Sequence, residues 1–113
     1  MIVEERIYTL HHGKVAEYLK LYEEEGRAIQ LKILGCNVGY YTVDTGPQNT
    51  VIHLWAYVDA AEREKRRGVL ATDPHWQAYL PKIRPLMLVQ ETRILKPAPF
   101  FASWLQQQLE VAK

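Results

Sequence analysis

Six residues on two short segments are of the types from which binding sites and acid–base chemistry are built. In Thr50–Asp59, TVIHLWAYVD, the residues His53, Trp55 and Tyr57 alternate with Ile52, Leu54, Ala56 and Val58. In Met1–Leu10, MIVEERIYTL, Glu4, Arg6 and Tyr8 keep the same spacing. Successive side chains of a strand point to opposite faces, so each set shares one face. His53, which titrates near neutrality, suits a general acid or base. Trp55 and Tyr57 suit the walls of a flat apolar ligand, with the Tyr57 hydroxyl orienting a carbonyl. Arg6 matches the two oxygens of a carboxylate. The same residues also suit a closed polar network, Glu4 pairing with Arg6 and His53 bonding Tyr8, since buried charges persist only when paired. Two readings therefore stand. In one, His53 is the catalytic candidate and Glu4, Arg6, Tyr8, Trp55 and Tyr57 bind a ligand. In the other, all six fill the interior.

Other reactive types carry less. His11 and His12 are adjacent, a poor arrangement for chelation from a strand, and His75 sits beside Trp76. No His-x-Glu, Cys-x-x-Cys or His-x-x-x-His spacing occurs, so neither a metal site nor a cofactor is expected, a haem ligated by His53 or His75 having little weight. Cys36 lies at a helix–strand junction with no histidine motif, which argues against a nucleophile. The run Arg63–Arg67 is interleaved with glutamate and reads as a solvated helix face rather than a nucleic-acid patch. On the last strand either Gln90 with Thr92 or Glu91 with Arg93 must face the six residues, and Tyr40 and Tyr41 take one face each. Salt bridges at a dimer interface are the expected use of the last strand's polar residues.

These residues need a frame to hold them. A helix is expected over Lys14–Leu34, where Val15, Leu19, Tyr22, Gly26, Ile29 and Ile33 recur at spacings of three and four. Gly26, inside that stripe, implies close approach to the sheet or a bend, and Gly35 a stop. Cys36–Asp44 and Thr50–Val58 form a hairpin around the turn Gly46–Asn49. Asp59 with Glu62 caps a second helix, which Asp73-Pro74 interrupts and restarts toward Ile83. A last strand covers Leu86–Leu95, and Ala102–Val111 suits an amphipathic helix.

The order strand, helix, strand, strand, helix, strand predicts an α+β, ferredoxin-like βαββαβ sandwich with a four-stranded antiparallel sheet and two helices on one face. The first and third strands are expected side by side at its centre, running parallel. Ile52, Leu54, Ala56 and Val58, with Val3 and Ile7, are assigned to the helices, which leaves the polar–aromatic set opposite. A second copy covering that set would make a dimeric α/β barrel. Domain boundaries are expected at 1–99 for the sandwich and 100–113 for a tail whose Phe100, Phe101, Trp104, Leu105 and Leu109 dock on the dimer or meet a partner.

Composition limits the alternatives. The 113 residues are 48% hydrophobic and 24% charged, as in an ordinary folded domain. A net charge of +1 gives no field toward nucleic acid or anionic lipid. No segment is apolar over the length of a membrane span, and the acidic start MIVEER does not read as a signal peptide. With a single cysteine, the expected location is the cytoplasm.

The segments MIVEERIYTLHHGKVAEYLKLYEEEG, GPQNTVIHLWAYVDAAEREKRR, DPHWQAYLPKI and QETRILKPAP occur in an order that resembles NIPSNAP proteins over about residues 1–99. The resemblance implies the dimeric α/β-barrel fold. Eukaryotic relatives are associated with vesicle transport and mitochondria, whereas small bacterial relatives mostly lack an assigned reaction, and no catalytic set transfers. The wider superfamily includes cofactor-independent monooxygenases, isomerases and haem-handling proteins, which is analogy of fold alone. The expectation is thus a homodimer of unassigned activity that binds a small organic molecule in a polar, aromatic pocket. Its rivals are a cofactor-independent monooxygenase or isomerase with His53 as acid/base, and a non-catalytic interaction module.

Overall fold

Alternation, caps and glycines place the elements of the computed structural model, which describes residues 1–112. β1 is Ile2–Leu10, β2 Cys36–Thr42, β3 Thr50–Tyr57 and β4 Met87–Leu95. They form one sheet in the order β2-β3-β1-β4, every neighbouring pair antiparallel. Between β1 and β2 the chain is helical as α1, Val15–Leu21, a π-helical turn, Tyr22–Gly26, and α2, Arg27–Leu34. Between β3 and β4 come α3, Ala60–Thr72, and α4, Pro74–Ile83. This is the ferredoxin-like arrangement expected from the element order.

Caps account for the helix starts. The Asp59 carboxylate accepts from the Glu62 N–H at 2.8 Å, and that of Asp73 from the Trp76 N–H at 2.9 Å. Pro74 follows as the first residue of α4, where its missing N–H costs nothing. Gly35 ends α2 with φ of +90°, a conformation that glycine adopts freely.

The first helical run buries Tyr18, Tyr22, Gly26, Gln30 and Leu34, each four residues from the last. An every-fourth-residue stripe drifts about 40° per step around an α-helix. The π turn spends an extra residue in the middle of the run and brings the stripe back toward one side. Gly26 closes that turn because α4 passes over it: a Cβ there would stand 2.8 Å from the Tyr79 ring. The close approach is to a neighbouring helix, not to the sheet.

Two expectations are overturned. β1 and β3 run antiparallel, since the right-handed crossover makes β1 and β2 parallel and the hairpin reverses the chain into β3 between them. The helices also cover the opposite face from the one assigned. Tyr8, Val51, Trp55 and Tyr57 pack against Tyr18, Tyr22, Trp76, Tyr79 and Ile83. The helix layer presents large rings, and the sheet meets them with its own rings rather than with its aliphatic side. That aliphatic side carries Val3, Cys36, Val38 and Ala56, and it receives Leu105 and Leu109 of α5, Ala102–Val111.

Candidate functional site: an arginine-bearing cavity between sheet and helices

Glu4 fixes the electrostatics of the covered face. Its side chain is fully buried and is surrounded by three guanidinium groups. Arg63 donates to Oε2 through Nε at 2.8 Å, Arg67 to Oε1 at 3.3 Å, and Arg6 stands 3.5 Å from Oε2. Arg63 and Arg67 are one turn apart on α3, so one helix face delivers both. The basic run is therefore not wholly a solvated face: Arg63 and Arg67 turn inward, while Arg66 pairs with Glu62 and donates to the Ile33 carbonyl. Sequence reasoning missed these two residues, although a buried carboxylate in β1 facing a helix with arginines at i and i+4 was a usable signal.

A cavity of about 480 Å³ opens beside this cluster, between β1, β4 and the helices. Arg6 and Tyr8 reach it from the sheet, Arg67 and Leu70 from α3, Trp76 and Tyr79 from α4, and Tyr18 and Tyr22 from the first helical run. Arg6 Nε donates to the Tyr8 hydroxyl at 2.9 Å, and its Nη1 to Thr92 Oγ1 at 3.4 Å. Gln90 and Thr92 are thus the β4 residues on this face, with Gln90 lining the cavity. Glu91 and Arg93 lie opposite, where Arg93 bonds Glu5 of its own chain at 2.7 Å.

Hydroxyl groups tie the wall together. Tyr22 donates to Gln30 Oε1 at 2.6 Å, and the Tyr18 and Tyr40 hydroxyls share a 2.7 Å bond. Burial raises the phenol pKa values of Tyr18, Tyr22 and Tyr79 far above normal, so these rings stay neutral. Tyr79 lines the cavity too, although it is only 1% exposed, and its hydroxyl is buried with no partner among the described residues.

The remaining candidates sit behind the wall. His53 is 1% exposed, stacked on Tyr40 at 4.7 Å and met edge-on by Tyr8. Its Nδ1 accepts the Trp55 indole N–H at 2.7 Å. The neutral tautomer assigned from that bond carries its proton on Nε2, which has no partner among the described residues. Burial, reinforced by Arg6 and Arg67, lowers its pKa to about 3. His53 thus meets Tyr8 by its ring and not through a hydrogen bond. Its basic nitrogen is occupied, and the ring is not part of the cavity lining. Trp55 and Tyr57 are wholly buried and do not line the cavity either. Of the six candidates, Arg6 and Tyr8 reach the cavity, Glu4 pairs with Arg6 from behind, and His53, Trp55 and Tyr57 form core. Among the described residues, no group of three or more metal-ligating side chains comes together.

The family model NIPSNAP matches residues 3–102. The chain belongs to the NIPSNAP family. A NIPSNAP family protein from Agrobacterium tumefaciens is 52% identical, with a TM-score of 0.86, over 88% of this chain and 94% of that one. The human Protein NipSnap homolog 3A is 36% identical over 77 residues, 66% of this chain. The match spans 30% of that curated relative's length. A putative antibiotic biosynthesis monooxygenase from Nitrosomonas europaea shares the fold at a TM-score of 0.64 with 10% identity, covering 86% of this chain and 98% of that one. In this NIPSNAP chain, residues 1–112 include no helix long and apolar enough to cross a membrane.

Proposed function

We propose that this NIPSNAP chain binds a small organic molecule in the cavity between its sheet and helices. The observation that carries the reading is the cavity itself. Its 480 Å³ lies within the usual range of small-molecule sites, and its lining sets the polar groups Arg6, Arg67, Arg84 and Gln90 beside Leu70, Trp76 and Tyr79. A filled interior would have left the network reading alone. The rival with His53 as acid/base gains nothing from a ring enclosed by Tyr40, Tyr8 and Trp55. We place the protein in the cytoplasm as a homodimer joined through the aliphatic sheet face. Tyr41, Val89 and Leu95 stand exposed there, beside the groove that Phe100 and Trp104 line.

Ligand-observed NMR with a library of small organic fragments tests the binding reading, using the wild type and Ala71→Trp. Ala71 lines the cavity and is itself exposed, so the larger ring fills space with little cost to folding. Fragments that bind the wild type and are lost in A71W support the reading. An empty screen, or hits indifferent to A71W, overturns it.

A further inference from the structure

The charges around Glu4 do not balance. Arg6, Arg63 and Arg67 all pair with this one carboxylate and, among the described residues, with no other. Three guanidiniums against one carboxylate leave a surplus of two positive charges beside a partly apolar cavity. Partly buried cations are costly without a counter-charge. Two of the three, Arg6 and Arg67, line the cavity, as does Arg84, which makes no ion pair among the described residues. Among the described residues, no aspartate or glutamate lines it. Glu4 lies behind the wall and takes only some of the donors that five N–H groups on each guanidinium provide. Arg67 donates to Glu4 Oε1 and lies beside the Tyr57 hydroxyl, which leaves further N–H groups on its guanidinium.

From this geometry we infer that the ligand is an organic anion, a carboxylate on an apolar, ring-bearing body. The carboxylate sits on Arg67 and Arg6, and the body rests against Leu70, Trp76 and Tyr79. The inference deepens the binding reading above and rests on it. A flat two-oxygen anion suits the guanidinium edge, and leaving water for this partly closed site strengthens each charge-assisted bond.

Titration calorimetry of the full chain with three compounds that share one ring system tests the inference: 2-naphthoate, its neutral isostere 2-naphthamide and cationic 2-naphthylmethylammonium. Binding of 2-naphthoate is expected to be roughly tenfold or more tighter than that of 2-naphthamide, as a charge-assisted bond implies. The ammonium compound should be weakest. Arg67→Gln should abolish the preference, and Arg67→Lys, which keeps the charge, should retain part of it. Circular dichroism confirms that each variant folds, and should Arg67→Gln unfold, Arg84→Gln at the exposed rim takes its place with a smaller expected loss. Equal or tighter binding of the amide, no binding of 2-naphthoate, or a preference unchanged in every variant overturns the inference. Failure of the anion alongside cavity-directed neutral fragments leaves the binding reading intact; failure of every compound removes both.

Discussion

Glu4 and His53 show how the same burial treats two ionisable residues differently. Glu4 stays buried because three arginines surround it; His53 stays buried because it is neutral and bonded through Nδ1. Glu4→Gln removes the shared counter-charge and leaves three guanidiniums facing one another. We expect a loss of about 3 kcal/mol in urea unfolding, the scale of a broken buried pair. His53 acts through pH. Its folded pKa of about 3 lies below the unfolded value, so the unfolded state binds the additional proton as pH falls. The stabilisation is complete above about pH 6.5 and is lost progressively from there down to about pH 3, at roughly 1 kcal/mol per pH unit. Urea midpoints between pH 7 and pH 5 should therefore fall more steeply in the wild type than in His53→Gln. Parallel pH profiles would contradict the assignment of a buried neutral imidazole.

At the scale of elements, two glycines in helical segments should respond oppositely to the same substitution. Gly68 lies on the exposed side of α3, where an added methyl would meet no atom within 4 Å, so Gly68→Ala should stabilise by about 0.5–1 kcal/mol. Gly26→Ala gains the same helix propensity but drives a methyl into the buried Tyr79 ring, and should destabilise by about 1–3 kcal/mol. Thermal melts of the two variants should move in opposite directions. Gly26 was legible in sequence as an anomaly inside an apolar stripe, but its cause was not, because contact with α4 depends on tertiary packing. Caps and turns were legible throughout: Asp59, Asp73-Pro74 and Gly35 act locally, so their neighbours in sequence suffice. The choice of sheet face was not. Both faces of β3 are rich in residues that bury well, and only the ring-bearing faces of α1 and α4 decide between them. Arg63 and Arg67 were hidden for a related reason, since the interleaved glutamates resemble a solvated face until the helix is set above Glu4.

Across the whole molecule, one face of the sheet is covered by helices and holds the cavity, while the other is only partly covered by α5. Leu105 and Leu109 dock there, whereas Tyr41, Phe100 and Trp104 remain exposed around the neighbouring groove. Our homodimer proposal uses that surface. Light scattering at micromolar concentration should return twice the 13.2 kDa chain mass, and Tyr41→Glu should shift it toward one. A single-chain mass for the wild type would contradict the pairing. The cavity lies on the other face of the sheet, between β1, β4 and the helices. Its binding role is tested most directly by a crystal structure of the full chain with 2-naphthoate. The account predicts the ring between sheet and helices, against Trp76 and Tyr79, with its carboxylate within hydrogen-bond reach of Arg67. A naphthoate bound only on the aliphatic sheet face, with the cavity holding nothing but water, would contradict it.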